Sequence, residues 1–306
     1  MARKQNDKAV KPYRDFADFL AGHFPVKMQK LTVDAGLSCP NRDGTVGTGG
    51  CIYCNNAAFS PGFGNRREPV AVQLERSRAF FARKYPAMRY LAYFQSYTAT
   101  HGDPDLLMAM YGEALGVDGV DGLIIGTRPD CMPQHLLDRL AGMGRFVMIE
   151  YGAESSHDRT LQLINRCHTW ADTVDAVRRT HASGLPVGLH FIMGLPGETA
   201  DDMMATVDRI NDLPVDVVKF HQLQIVRGTE LCRRYENGTA GVEPFGVDAY
   251  LELCCRIVRR LRSDIAIERF VSQSPADLLA APRWGLKNHE FTDLLRNRLN
   301  SESNGK

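Results

Sequence analysis

Six apolar runs, each about as long as a strand, recur along the chain between residues 30 and 225. They are KLTVDAG (30–36), MRYLAYFQ (88–95), VDGLIIGT (120–127), RFVMIEYG (145–152), LPVGLHFIMG (185–194) and VDVVKFHQLQI (215–225). Their apolar residues are continuous rather than alternating, as in strands buried on both faces of a parallel sheet covered by helices. The segments between them, 69–85, 103–115, 133–142, 170–184 and 199–212, read as helices. Punctuation supports these boundaries: Pro69 lies near one helix start, Asp103 precedes Pro104 as an N-cap, and Gly184 closes a helix. The alternation predicts six βα units. Downstream, 248–261 reads as a helix with Tyr250, Cys254, Ile257, Val258 and Leu261 on one face. IAIERF (265–270) is a candidate further strand, and the tail from Ser274 reads as helical with a break at APRWG.

A chain of 306 residues, 44% hydrophobic, fits one large α/β domain or two smaller ones, and no linker rich in Gly, Pro or Ser divides it. Lys and Arg number 37 against 36 Asp and Glu. That balance argues against wholesale coating of nucleic acid and leaves room for a local basic patch. The first residues hold no apolar core of signal-peptide length, and no apolar run approaches the roughly 20 residues that span a bilayer. A soluble, cytoplasmic protein without a membrane partner is expected. Residues 1–14 carry Arg3, Lys4, Lys8, Lys11 and Arg14 against Asp7; they read as a solvated arm, with contact to phosphates the sharper alternative.

The densest chemistry lies in CPNRDGTVGTGGCIYC (39–54), which holds three of the eight cysteines, Cys39, Cys51 and Cys54, spaced C-x11-C-x2-C. It follows the first strand, and in βα sheets reactive groups gather where strands end. Gly44, Gly47, Gly49 and Gly50 let such a loop fold tightly. A structural zinc site would want a fourth ligand, from His101 or a distant cysteine, and no second C-x2-C or H-x3-H is present. A redox pair at Cys51 and Cys54 would leave Cys39 unexplained. A four-iron cluster on three thiolates would leave one iron open to a cofactor or substrate. The remaining cysteines, Cys131, Cys167, Cys232, Cys254 and Cys255, show no ligand spacing, and Cys254 reads as core.

KLTVDAGLSCPNRDGTVGTGGCIYC, YFQSYTAT, GTRPD, IEYGAESSHDRTLQLINRCHT, HFIMGLPGET and VKFHQLQIVRGTEL occur in that order. Together they resemble the YhcC-type radical-SAM family, related to coproporphyrinogen dehydrogenase and the Elongator catalytic subunit, over residues 20 to 295. The resemblance implies a partial (β/α)6 barrel of the radical-SAM type with a helical C-terminal extension. Its expected divisions are a basic arm (1–19), the barrel (20–270) and the extension (271–306). It also implies a [4Fe-4S] cluster on Cys39, Cys51 and Cys54 at the C-terminal ends of the strands. S-adenosylmethionine on the open iron would be cleaved reductively to a 5′-deoxyadenosyl radical. The usual superfamily spacing is C-x3-C-x2-C; here the first gap is eleven residues.

The same resemblance suggests roles. Tyr53 sits between two ligands, where the superfamily places an aromatic residue. Gln95, Tyr97 and Thr98 stand where a Gly-Gly-Glu segment commonly binds the methionine amino group. Arg166, in INRCH, is suited to the methionine carboxylate, with Cys167 in place of the family's glycine. Ile192 and Gly194 fall where adenine packs. Gln224, with Lys219 and His221, comes from the sixth strand and is expected to face the barrel interior. Glu150 is expected to hold ribose hydroxyls or an ammonium, because a carboxylate in so apolar a run is costly unless partnered. Arg128 and Asp130 would sit above the third strand near substrate, and Glu150, Arg128 and His221 are the candidate catalytic groups. An external one-electron donor of flavodoxin or ferredoxin type is implied. A tRNA wobble base is the implied substrate, and no DNA is expected. A small metabolite or porphyrin-like substrate, or a non-catalytic iron–sulfur or zinc protein, are the alternatives.

Overall fold

The computed structural model describes residues 11–58 and 65–303. Its strands are β1 (Met28–Val33), β2 (Arg89–Phe94), β3 (Val120–Thr127), β4 (Phe146–Glu154), β5 (Val187–Met193), β6 (Val217–Gln222), β7 (Ile225–Val226), β8 (Ala266–Arg269) and β9 (Leu279–Ala281). Its helices are α1 (Phe16–Ala21), α2 (Val70–Ala82), α3 (Pro104–Leu115), α4 (Gln134–Ala141), α5 (Asp158–Leu163), α6 (Trp170–Ala182), α7 (Ala200–Asn211), α8 (Glu230–Glu236), α9 (Val247–Arg260) and α10 (Asn288–Ser303).

Seven strands pair in parallel in the order β1-β2-β3-β4-β5-β6-β8. The six apolar runs all become strands, and 265–270 supplies the seventh. Several helices begin where side chains satisfy their free N–H groups, whereas α2 and α4 start after Pro69 and Pro133 without a side-chain cap. Asp103 accepts from the N–H groups of Asp105 and Leu106, and Thr169 and Thr199 form capping boxes with Asp172 and Asp202. Such caps are worth about 1 kcal/mol each. The main apolar core lies between the sheet and these helices, with Leu74, Leu107, Leu137, Val177 and Val207 packed on strand residues such as Leu123 and Leu189. No helix of the described residues is long and apolar enough to cross a membrane.

The sheet curls into a half-barrel. Lys30 on β1 and Glu268 on β8 stand on opposite edges, yet their side chains meet at 2.5 Å. In a flat sheet those edges would be about 29 Å apart, at ~4.8 Å per strand. The barrel interior is layered. At its lower, N-terminal end Phe19 and Leu20 of α1 pack with Leu91, Ile124, Met148, Val217 and Ala266, forming an apolar plug distinct from the outer core. A layer of charged groups lies above the plug, and the loops that follow the strands lie above that.

Two expectations are corrected. The chain from Ser274 is not helical until α10: Leu279–Ala281 instead pairs antiparallel with β7, a two-strand clip outside the main sheet. And the solvated arm does not extend through Arg14. Arg14 donates to the Asp264 carbonyl at 2.5 Å and accepts from the Ile267 N–H, while Lys11 pairs with Asp15 and Asp18 beside the capping box of α1. Arg3, Lys4 and Lys8 lie outside the described residues.

Candidate active site

The cysteine loop leaves β1 and is folded by its own turns. The N–H groups of Arg42 and Asp43 both return to the Cys39 carbonyl. Gly50, at φ +79°, has no room for a side chain, because a Cβ would lie 2.8 Å from the Arg42 guanidinium. Arg42 in turn donates to the Cys54 carbonyl at 2.7 Å, joining the two ends of the loop. A Cβ on Gly47 would lie 2.4 Å from Asn41 Oδ1. Asn41 is fully buried and donates to the Asn165 carbonyl at 2.5 Å; its amide also lies 3.7 Å from Cys51 Sγ. Asn165 donates back to the Gly50 carbonyl at 2.8 Å. The loop is thus tied to the segment after α5.

Two short helices that sequence periodicity does not reveal complete the cradle. Ile52 N–H donates to the Ile164 carbonyl at the end of α5, and the Leu231 N–H of α8 donates to the Ile52 carbonyl. Cys51, Ile52 and Tyr53 pack there with Leu161, Ile164, Leu223 and Leu231. Six- and seven-residue helices carry too few turns for a periodic apolar stripe to stand out.

The eight cysteines are free thiols. Cys39, Cys51 and Cys54 line one cavity at the C-terminal ends of the strands. Among the described residues no group of three or more His, Cys, Asp or Glu side chains is gathered tightly enough to hold a single metal ion. The three thiols share the wall of that cavity. Burial and the neighbouring Cys51 push the Cys54 thiol up to about 11. A thiolate there calls for added positive charge, which a metal cluster supplies.

Cys39, Cys51, Tyr53, Cys54, Gln95, Tyr97, Thr98, Arg128, Glu150, Arg166, Ile192 and His221, all singled out from the sequence, line that cavity. Gly194 and Gln224 do not. Gly194 faces the Phe245 ring, which a Cβ would approach to 2.9 Å. Gln224 is buried, with its amide committed to the Ser272 carbonyl and the Ser274 hydroxyl at 3.0 and 2.8 Å. Neither residue is placed to touch a ligand in the cavity. A wider groove of about 800 Å³, lined by Arg159, Trp170, Arg178 and Arg209, lies among α5, α6 and α7 and holds none of the thiols.

Arg166 is buried among protein partners. Its guanidinium donates to the Gly152 carbonyl, to His168 Nε2 at 3.1 Å and toward Cys51 Sγ at 3.6 Å. Burial and Arg166 drive His168 down to about 3, so His168 is neutral and accepts. In this arrangement Arg166 braces Cys51. Cys167 adopts φ +59°, the left-handed conformation that glycine takes freely. Tyr97, Glu154 and Asn165 share that conformation and border the same region. Each costs on the order of 1–2 kcal/mol, which packing must outweigh.

The charged layer underlies the cavity and reaches it through Glu150 and His190. Lys30 meets Glu150 at 2.7 Å and Glu268 at 2.5 Å, and Lys219 meets each of the same carboxylates at 3.0 Å. Four groups from β1, β4, β6 and β8 close a square. Burial disfavours the Glu150 carboxylate, but Lys219, Lys30 and His190 hold it well below the usual range. His190 Nε2 lies 2.9 Å from Glu150 Oε2, so both Glu150 oxygens are engaged. Of the two roles expected for Glu150, ribose hydroxyls or an ammonium, its oxygens here meet the ammonium groups of Lys30 and Lys219. Tyr93 OH lies 3.2 Å from Lys219 Nζ. Burial, followed by Arg269, drives His221 well below its ordinary value, leaving it neutral. Lys30, Tyr93, His190, Glu268 and Arg269 escaped the sequence reading. Their signal was a polar side chain within an apolar strand or, for Glu268 and Arg269, an adjacent charged pair at the end of one.

Three buried polar atoms at the cavity have no partner: Thr98 Oγ1, Arg128 Nη1 and Arg269 Nε. Arg128 is 1% exposed and bonds Asp130 through its other two nitrogens at 2.9 and 2.8 Å. Buried donors without acceptors are rare and mark places where a ligand completes the hydrogen bonding.

The sequence profile of the Radical SAM superfamily matches residues 43–210, and that of the Radical_SAM C-terminal domain matches 215–301. Protein YhcC of Escherichia coli K12 is 36% identical over 273 residues, which cover 88% of this chain and 86% of that protein. A tRNA uridine(34) acetyltransferase of Methanocaldococcus infernus is 29% identical over 119 residues, 38% of this chain and 22% of that enzyme. Among solved structures, the archaeal Elp3 of Methanocaldococcus infernus superposes with a TM-score of 0.67 at 16% identity, covering 90% of this chain and 63% of Elp3. That likeness extends to the fold.

Proposed function

The chain belongs to the radical SAM superfamily, and on that premise we propose that it binds an iron–sulfur cluster through Cys39, Cys51 and Cys54 and cleaves S-adenosylmethionine to abstract a hydrogen atom from a substrate. The observation that carries this reading is the set of three free thiols on one cavity beside unpartnered buried donors. Bound there and reduced by an external flavodoxin- or ferredoxin-type donor, the cluster would supply the electron that breaks the sulfonium bond.

The protein's own groups bind, orient and exclude water. Arg166 and Asn41, both touching Cys51 Sγ, orient that thiolate and offset negative charge beside it. Arg128 Nη1 and Thr98 Oγ1 are the donors left for the carboxylate of S-adenosylmethionine; Arg128 already presents a fixed edge because Asp130 clamps the other one. Ile192 offers the apolar wall for adenine. Glu150 acts as a positioning residue that holds Lys30, Lys219 and His190 at the floor. A substrate would enter from above, because α1 and the charged square close the lower barrel.

The tRNA reading of the substrate draws on the partial similarity to the tRNA uridine(34) acetyltransferase. The test is anaerobic: reconstitute with iron and sulfide, reduce, add S-adenosylmethionine, and follow 5′-deoxyadenosine together with the cluster's EPR signal. A four-iron signal altered by S-adenosylmethionine, with deoxyadenosine formed, is expected. Tightly bound zinc with no cleavage would overturn the proposal. Bulk tRNA should then raise deoxyadenosine output and acquire a mass change at its wobble nucleoside; unchanged tRNA would turn attention to small substrates.

A further inference from the structure

The charged layer is not balanced. In the square, two lysines answer two carboxylates, Lys30 and Lys219 against Glu150 and Glu268. Arg269, the last residue of β8, stands beside it on the same cavity and belongs to no ion pair among the described residues. Among the described residues its side chain makes one hydrogen bond, from Nη2 to His221 Nε2 at 3.4 Å, a long contact to a neutral ring. Its Nε is buried and has no partner. Arg269 is half-buried, and its buried Nε lacks an acceptor beside a neutral neighbour, a cost that an incoming anion would relieve. The edge formed by Nε and Nη2 matches two oxygens of one acid group.

We propose that Arg269, with His221 beside it, is an anion subsite on the β6–β8 wall that holds a carboxylate or phosphate group of the substrate. This rests on the reading of the cavity as the reaction chamber, and it narrows the substrate to molecules carrying such a group. The subsite is separate from Arg128 and Thr98, which follow β3 and β2. Binding there would hold the substrate by one end and leave a neighbouring carbon facing the thiol side of the cavity.

The probes are inorganic phosphate and acetate, each compared with chloride at equal ionic strength, on the full-length protein without reductant. Wild type should melt about 2–4 °C higher in one or both oxyanions than in chloride. The larger shift identifies the source, phosphate or carboxylate. Arg269→Gln should lose the shift, and Arg269→Lys should keep part of it. An equal shift in Arg269→Gln, or no preference over chloride in wild type, would overturn the subsite. Phenylglyoxal modification of wild type, mapped by peptide mass spectrometry, tests the same point without a variant. The anion should protect Arg269, and protection confined to other arginines refutes the assignment. Wild-type S-adenosylmethionine cleavage is a separate readout. Its absence alongside a specific anion shift would remove the radical-enzyme reading and leave the subsite standing.

Discussion

Replacing Glu150 with glutamine should cost far more stability than an ordinary charge removal. Glu150 is 1% exposed, and its two oxygens meet Lys30, Lys219 and His190 at 2.7, 3.0 and 2.9 Å. The amide is nearly isosteric, so packing changes little. What changes is charge: two buried lysines then share Glu268 alone. Removing one partner from a buried ion pair costs about 3–5 kcal/mol, because the other charge stays desolvated. With a urea m-value of about 3 kcal/mol/M, the midpoint should fall by about 1–1.7 M at pH 7. The effect also has a pH signature. The folded carboxyl lies below the ordinary glutamate value of 4.5, so its contribution is full above that pH. It declines as pH falls below 4.5 and vanishes through the lower folded value. The gap between wild type and variant should therefore narrow in acid. Adding Lys219→Met to Glu150→Gln should recover part of the loss, since one lysine and one glutamate then remain. A midpoint within about 0.3 M of wild type, at an m-value of about 3 kcal/mol/M, would refute the claim that this network is desolvated.

Cys51→Ala should fold yet lose iron loading and deoxyadenosine formation together; a variant that still cleaves S-adenosylmethionine would sink the ligand assignment. Gly47→Ala drives a methyl against Asn41 Oδ1, which its bond to Asn165 prevents from yielding, so iron bound per chain after reconstitution should drop severalfold. Arg128→Gln keeps a neutral donor but loses the charge-assisted bond. Calorimetry should show S-adenosylmethionine affinity falling roughly 10- to 100-fold, the equivalent of about 1.5–3 kcal/mol. Asp15→Ala removes the capping box of α1 and should lower stability by about 1 kcal/mol in urea titration.

The parallel sheet was legible because strands buried on both faces are written as unbroken apolar runs, and three crossover helices, α3, α6 and α7, carried side-chain caps. The cysteine loop was legible because thiols and glycines are uncommon enough for their spacing to carry information. β8 was legible as a candidate strand but its role was not: it is four residues long and ends in Glu268 and Arg269, which only the curl of the sheet brings to the barrel interior. The chain after Ser274 has helix-tolerant composition, and only its pairing with β7 makes Leu279–Ala281 a strand. Local propensity cannot see such a partner. Arg166 and Glu150 were located at the cavity, but their hydrogen-bond partners come from 115 and 120 residues away. Whether a buried charge is free or committed depends on those distant partners. Gly194 illustrates a related limit: its position in the chain suggested the cavity, whereas its backbone direction turns it toward Phe245.

The layering of the barrel gives these details a common cause. A seven-stranded parallel sheet does not close, so its edges, β1 and β8, leave a seam. The lower seam is sealed twice, by α1 packed across the apolar layer and by Lys30 reaching Glu268 above it. Lys30 also lies 4.5 Å from the Phe16 and Tyr93 rings, so its charge touches the apolar plug below and the polar floor above. A floor built this way is dry beneath and charged on top. Groups that enter from the C-terminal side meet fixed dipoles and charges in place of bulk water, the condition under which electrostatic orientation is strongest. Within that floor every carboxylate is already held by lysine, and Arg269 is the cation left over. Excess positive charge facing the chamber, combined with a bottom that is shut, favours ligands that bring an anion in from above and expose their remaining carbon skeleton toward the three thiols.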